Sequence, residues 1–267
     1  MPSGTPSARK TERIRLLWLS LDNISFREAV DEIVRLCKAG VPRYIVTPNV
    51  DHFMKTRTNE HLRSVYANAA LSLADGVPVV WAARLLGQPL KEKVSGSDLL
   101  PELCGQATEM GLRVFLIGGA PGVAERARDR LKERHPGLQV VGVRSPQISA
   151  DGSDPQIDET LKHIRETAPN LVFVAFGNPK QELWMARYHR DVGAAVCIGV
   201  GGSLDFIASA QRRAPQWMQR TGLEWLWRLA CEPRRLWKRY LVDDLPFLWF
   251  VAWEYVSVRL LRRDTSR

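Results

Sequence analysis

From Ile14 onward, short apolar runs alternate with longer stretches of helical pattern, and this alternation most restricts the fold the chain can adopt. The pairs are IRLLWLS with SFREAVDEIVRLC, YIVTP with a polar helical stretch, LSLAD with PVVWAARLL, RVFLIGG with VAERARDRLKER, LQVVGV with PQIDETLKHIRE, LVFVAFG with KQELWMARYHR, and AAVCIGVGG with a short helix. Such alternation predicts an α/β fold: a Rossmann-like, mostly parallel sheet covered by helices on both faces. Runs such as LVFVAF and AAVCIGV carry no polar alternation, as expected of strands buried on both sides. With 267 residues and 45% hydrophobic content the chain can bury a sizeable core.

The pattern changes near residues 205 to 212. Beyond that point there is no strand-like run, and six of the nine tryptophans follow it: Trp217, Trp225, Trp227, Trp237, Trp249 and Trp253. Residues 212–267 hold twelve Lys/Arg and six Asp/Glu, so +6 of the net +9 falls there. The chain divides into a polar leader over 1–13, expected to be disordered, an α/β body over 14–211, and a basic, Trp-rich helical appendage over 212–267. The leader has no apolar core, so it does not read as a secretory signal. A net positive charge favours anionic partners: nucleotide diphosphates, lipid head groups or nucleic acid. Cys37, Cys104, Cys197 and Cys231 lack C-x-x-C spacing and the density of a disulfide scaffold, which suits a reducing compartment.

In open α/β sheets ligands sit beyond the carboxyl ends of the strands, so the polar residues closing each run are the site candidates. Asp75 closes LSLA, where it can be partly desolvated and accept a proton from a substrate hydroxyl; an Asp-Gly turn bonded to nearby backbone N–H groups is the alternative. Thr47 and Asn49 follow YIV and could bond a sugar or a base, although Asn49 also suits a helix N-cap. Asn178-Pro179-Lys180-Gln181 matches a capping box, with Gln181 reaching back from N3. GGAPG, with Gly118 and Gly119, and GVGGS, with Gly201 and Gly202, place backbone N–H groups at helix starts that suit a diphosphate. Neither completes G-x-G-x-x-G, since Leu204 replaces the last glycine of the second. His52, His61, His135, His163 and His189 are scattered, and neither H-E-x-x-H nor a D-x-D pair is present. No metal site and no cofactor are expected.

In the appendage, Arg228, Arg235 and Lys238 are separated by seven and three. On one continuous helix they would share a face able to clamp a phosphate, although Pro233 interrupts it; a solvated basic face is the alternative. Residues 245–261 are apolar but contain Pro246, Glu254 and Arg259, and are shorter than the ~20 residues of a spanning helix. They suit an interfacial helix flanked by Trp, Tyr and Arg, or else a terminal helix packed on the body or on a second copy in a homo-oligomer.

TPNVDHF, LADGVPVVW, KVSGSDLLPELC, VFLIGG, VFVAFGNPKQELWM, GVGGSLDF and RRAPQWMQRTGLEWLWRLACEPRRLWKRY, in this order over residues 14–243, resemble the bacterial WecG/TagA/CpsF glycosyltransferase family. The resemblance implies a peripheral enzyme on the cytoplasmic face of the cell membrane. It implies metal-independent, inverting transfer of a hexose from a UDP-sugar to a polyprenyl-diphosphate-linked sugar, in cell-surface polysaccharide or exopolysaccharide assembly. N-acetylmannosamine, its uronic acid and glucose are the hexoses the family uses. Carried across, the family's base falls on Asp75, its active-site Thr and Asn on Thr47 and Asn49, and its G-x-P-x-Q-E glutamine on Gln181. Its phosphate-contacting arginines fall on Arg228, Arg235 and the position of Lys238, where lysine keeps the charge but not the bidentate fork.

Two rivals lie in other classes. A Rossmann-type NAD(P)-dependent oxidoreductase lacks its glycine fingerprint here. A nucleic-acid-binding protein would use the Arg/Trp tail for phosphate contact and stacking, yet that tail ends in an apolar run without use in such recognition; no nucleic-acid partner is expected.

Overall fold

The computed structural model describes residues 11–209, 211 and 213–264. Residues 1–10 of the expected leader and Arg212 lie outside the described residues, as do the side chains of Arg259 and Leu261. The first apolar run differs from expectation. It does not join the parallel sheet but folds into an antiparallel hairpin, β1 (Arg13–Leu16) and β2 (Leu19–Asp22), turning at Leu17, whose φ is 51°. Asp22 explains the hairpin's seat. Its buried carboxylate accepts bonds from Thr11, from Arg13 Nε (3.1 Å) and from the Ser72 N–H (2.7 Å). Thr11 and Arg13, assigned to a disordered leader by composition, therefore belong to the ordered body.

Helix α1 (Phe26–Ala39) begins with a capping box in which Ser25 accepts from the Glu28 N–H and Glu28 accepts from the Ser25 N–H. The six-stranded sheet follows: β3 (Arg43–Val46), β4 (Leu71–Ser72), β5 (Arg113–Gly118), β6 (Gln139–Arg144), β7 (Leu171–Ala175) and β8 (Val196–Gly199). Its order is β4-β3-β8-β7-β5-β6, and every pairing is parallel. The central strands are buried on both sides, which is why their sequences lack alternation: Val114 and Leu116 face one core, Phe115 and Ile117 the other.

Helices α1, α5 (Gly96–Met110), α6 (Val123–Arg134) and α9 (Ser203–Ile207) cover the first core. Helices α2 (Val50–Thr56), α3 (Glu60–Ala67), α4 (Val77–Leu85), α7 (Ile157–Glu166) and α8 (Lys180–Tyr188) cover the second, together with the hairpin. The helices that leave neighbouring strands thus depart to opposite faces: α6 after β5 against α8 after β7, and α9 after β8 against α2 after β3. Each such divergence opens a crevice at the carboxyl ends of the strands, and that crevice is the place for a ligand.

The appendage is helical, as its composition predicts: α10 (Gln216–Arg220), α11 (Glu224–Cys231), α12 (Pro233–Lys238), a π-helical turn (Arg239–Asp243) and α13 (Pro246–Asp264). It is not an independent lobe, because Phe247 and Val251 of α13 are buried in the second core beside Phe53. At its other end, Arg213 pairs with Asp98 of α5 at 2.5 Å.

Candidate active site

A cavity of about 620 Å³ opens at the carboxyl ends of the strands and is roofed by the appendage. Thr47 and Asn49 after β3, Asp75 after β4, Gly119 after β5, the Ala175–Gln181 turn after β7, and Gly201 and Gly202 after β8 all line it. Arg228, Arg235, Arg239 and Tyr240 close it from the appendage. Residues far apart in the chain are thus brought together because parallel strands deliver their following loops to one edge.

Asp75 is half-buried where β4 hands over to α4. Its backbone N–H donates to the Pro48 carbonyl at 2.9 Å, holding the β4 end against the β3 end. Among the described residues nothing donates a hydrogen bond to its carboxylate, so the side chain does not close an Asp-Gly turn; it faces the cavity instead. Burial pushes its pKa up from 3.8 to about 6; the charges of Lys93, Arg228 and His52 pull it down, while Glu224 adds to the rise. A carboxylate tuned into this range can hold a proton reversibly near neutrality. Asp205 also lines the cavity and is raised by burial, with Arg235 and Arg126 opposing and Glu232 assisting.

Thr47 is buried and its hydroxyl donates to the Gly199 carbonyl at 3.0 Å, tying the β3 end to the β8 end. Asn49 occupies the N-cap position of α2, yet its Oδ1 is buried without a partner. The bond at this cap is the reverse one, from the Asn49 N–H to His52 Nδ1 at 2.8 Å. His52 Nε2 lies 3.5 Å from Glu182 Oε1, without a hydrogen-bond partner among the described residues.

The capping box expected at Asn178–Gln181 does not form. Helix α8 starts at Lys180 after a cis Asn178–Pro179 bond, and Asn178 turns away, donating to Tyr66 (3.0 Å) and Glu182 (3.1 Å). Gln181 reaches across to β8 instead. Its Oε1 accepts from the Gly201 N–H (3.0 Å) and its Nε2 donates to Glu182 (2.7 Å). Glu182, fully buried, accepts from Asn178 and Gln181 and so ties the end of β7 to that of β8, with His52 of α2 at 3.5 Å beside it. An unpaired buried carboxylate would cost several kcal/mol, which is why it is surrounded by donors.

The glycine turns serve the backbone more than the diphosphate role expected of them. The Gly119 N–H donates to the Ala175 carbonyl at 3.0 Å and the Gly201 N–H to Gln181, so neither is free for a phosphate. Gly118 does not line the cavity. Its φ is +114°, and a Cβ there would stand 2.4 Å from the Ala175 oxygen, so glycine is required for β5 and β7 to end side by side. Gly202 lines the cavity at the start of α9.

The cationic burden shifts to the appendage, where the chain breaks at Glu232 and restarts at Pro233. Spacing on one continuous helix therefore does not apply. Arg228, with its guanidinium 4.8 Å from the centre of the Phe206 ring, and Arg235 reach the cavity, but Lys238 is exposed and does not line it. Arg239, one residue later and four after Arg235, takes the third place. Sequence reasoning missed Arg239, Tyr240, Asp51, His52, Asp205 and Glu182; His52 was considered only as a metal ligand, and the others lie inside the quoted motifs without a spacing that singles them out. Among the described residues no group of three or more His, Cys, Asp or Glu is arranged to hold a metal ion.

Residues 14–260 match the family described as the glycosyl transferase WecG/TagA/CpsF family. A protein of Bacillus spizizenii (strain W23), N-acetylglucosaminyldiphosphoundecaprenol N-acetyl-beta-D-mannosaminyltransferase, is 34% identical over 198 residues, covering 74% of each chain. Proteins of the same description are similar in Bacillus subtilis (strain 168), at 35% identity over 66% of each chain, and in Staphylococcus aureus (strain NCTC 8325), at 30% identity over 85% of this chain and 87% of that one.

Proposed function

The chain belongs to the WecG/TagA/CpsF glycosyltransferase family, and from that premise we propose that it transfers N-acetylmannosamine from its UDP-sugar to a polyprenyl-diphosphate-linked N-acetylglucosamine. The substrate reading follows the descriptions of its relatives. The observation that carries the chemistry is the Asp75 carboxylate, raised to about 6 and without a hydrogen-bond donor in the cavity. Asp75 takes the proton of the acceptor hydroxyl as that oxygen attacks the anomeric carbon; the bond to the UDP oxygen breaks on the opposite face, and the configuration inverts. Negative charge develops on the departing diphosphate, and the appendage arginines are the preorganised cations that face it. Thr47 and Asn49 form the wall beside the base; Gln181, Gly119, Gly201 and Gly202 shape the rest. In a panel of UDP-hexoses with a synthetic prenyl-diphosphate-linked N-acetylglucosamine, UDP-N-acetylmannosamine is the donor expected to yield the lipid-linked disaccharide. Absence of transfer from every UDP-hexose would overturn the reading.

A lipid-linked acceptor requires the cavity mouth to meet a membrane surface, and helix α13 supports a peripheral mode. Its inner face carries Phe247 and Val251 into the core, while Leu248, Trp249 and Trp253 on its outer face are exposed, the two tryptophans by 61% and 62% and stacked on each other at 5.8 Å. Among the described residues no helix is long and apolar enough to cross a membrane. Two of the three alternatives for this segment, packing on the body and meeting a membrane interface, are therefore compatible, because they use opposite faces of one helix. Replacing Trp249 and Trp253 by Ser is expected to reduce binding to vesicles containing anionic lipid by about tenfold or more while leaving the melting temperature within a few degrees. Undiminished vesicle binding by that variant would remove α13 from the membrane reading.

A further inference from the structure

The α/β body buries its large apolar side chains almost completely. Before residue 210 only three of them are exposed among the described residues: Trp81 (58%), Leu85 (50%) and Met110. Met110 closes α5 at the end away from the cavity, since the start of that helix packs on Val200 and places Ser97 in the cavity wall. Trp81 and Leu85 stand together on α4, the helix that begins two residues after Asp75. With Val77 they fall at positions i, i+4 and i+8, so they share one face and form an apolar stripe about 12 Å long at the helical rise.

This stripe is joined to the roof of the cavity. The turn between α10 and α11 lies on it: Gly222 has φ +75°, and a Cβ there would stand 3.0 Å from Val77 and 3.7 Å from Cη2 of Trp81. Three residues on, Trp225 is exposed and meets Tyr240 of the cavity wall edge-on at 5.9 Å. An apolar surface thus leads from Tyr240 over the Gly222 turn to Trp81 and Leu85, beginning beside Asp75 and ending in solvent. A second copy of the chain would need about 800 Å² of surface, and exposed Arg84, Gly87 and Gln88 beside the stripe leave it too narrow. A bilayer is met by a broad apolar face such as that of α13. The stripe has the width of a single hydrocarbon chain.

We propose that Trp81 and Leu85 carry the first isoprene units of the lipid-linked acceptor where its chain leaves the cavity. The inference rests on the glycosyl-transfer reading, which requires the acceptor hydroxyl to reach Asp75 while the chain stays outside. Helix α4 meets both needs, because the base stands at its start and the stripe runs outward along its length. An isoprenoid chain laid on the stripe leaves water together with the indole and the leucine, so affinity for the acceptor rises with chain length until the stripe is covered. The chemistry at Asp75 is untouched, so the gain falls on KM.

The test uses the full chain, without vesicles or detergent, and two soluble acceptors: N-acetylglucosamine linked through diphosphate to a farnesyl chain or to a methyl group. UDP-N-acetylmannosamine is the donor. The parent is expected to prefer the farnesyl acceptor by about tenfold or more in kcat/KM, and Trp81→Ser/Leu85→Ser is expected to lower that preference below about threefold, through KM. A thermal melt within a few degrees of the parent certifies the fold, and Trp81→Gln/Leu85→Gln takes the place of the serine pair if that pair melts early. A variant that keeps the parent's preference overturns the proposal, as does a parent without preference. If the preference is kept but binding to anionic vesicles is lost, the stripe meets the bilayer; if it is kept but the variant sediments as a smaller species, the stripe meets a second copy. Either result overturns the chain assignment. A parent that transfers to neither acceptor fails the glycosyl-transfer reading itself and the proposal with it, an outcome distinct from an active parent whose variant is unchanged.

Discussion

Replacing Asp75 by Asn is expected to lower kcat for glycosyl transfer by about 10²–10⁴-fold, the span of a lost general base, while UDP affinity stays within about twofold. The two side chains are nearly isosteric, so the cavity keeps its shape and loses only a proton acceptor. The parent enzyme carries a second signature. With the Asp75 pKa raised to about 6, only the ionised form can take the acceptor proton, so kcat/KM rises through pH 6 and levels above it; at pH 5 about a tenth of the plateau remains. The stability sign is opposite. A carboxyl group whose folded pKa lies above its unfolded value destabilises the fold once pH exceeds the unfolded value near 3.8, and the loss is complete above about 6. Asp75→Asn should therefore melt no lower than the parent at pH 7.5, which separates loss of chemistry from loss of fold. Asp205 is the control: it shares the cavity and a raised pKa, so a normal Asp75→Asn enzyme beside an inactive Asp205→Asn enzyme would transfer the role and end the assignment.

The second large effect is expected at Phe247, where the appendage is pinned to the body. This ring is 1% exposed and meets Phe53 edge-on at 5.5 Å; the next turn places Phe250 against Trp18 at 5.5 Å, under the Arg57 guanidinium. Truncation to Ala removes its transfer energy and leaves a cavity that helix and hairpin cannot both collapse into, a loss of about 3–5 kcal/mol in unfolding free energy. In a chain of this size that corresponds to a fall in melting temperature on the order of 10 °C. Activity should fall with it at temperatures below the melt, because α13 anchors the π-helical turn that carries Arg239 and Asp244. Urea unfolding with less than about 1 kcal/mol of change would show that α13 does not pack as described.

How much of this was legible in the chain depends on whether a feature is local. LVFVAF could be read as a doubly buried strand because burial on both faces leaves its mark on every residue of the run. The helical appendage is local in the same sense. The hairpin was not legible: IRLLWLS looks like one strand, and only the pull of the Ser72 N–H and Arg13 on buried Asp22 folds it back. Asn178-Pro179-Lys180-Gln181 has the letters of a capping box, yet a buried Glu182 and the Gly201 N–H compete for those side chains and win. The glycine turns looked like phosphate cradles because sequence cannot show that Ala175 and Gln181 occupy the Gly119 and Gly201 donors.

The sequence by itself determined the α/β body, the basic helical appendage and the set of strand ends from which any site must be built, since periodicity, composition and turn chemistry are properties of neighbouring residues. Tertiary structure decided which of those residues face a common space. Asp75 is free of turn bonds because the β3 end holds its backbone through Pro48. Arg239 replaces Lys238 because the helix breaks at Pro233 and a π-helical turn follows, so no fixed helical spacing carries the basic face across the break. Bonds between residues distant in the chain leave no periodic trace, and the chemistry of this site depends on such bonds.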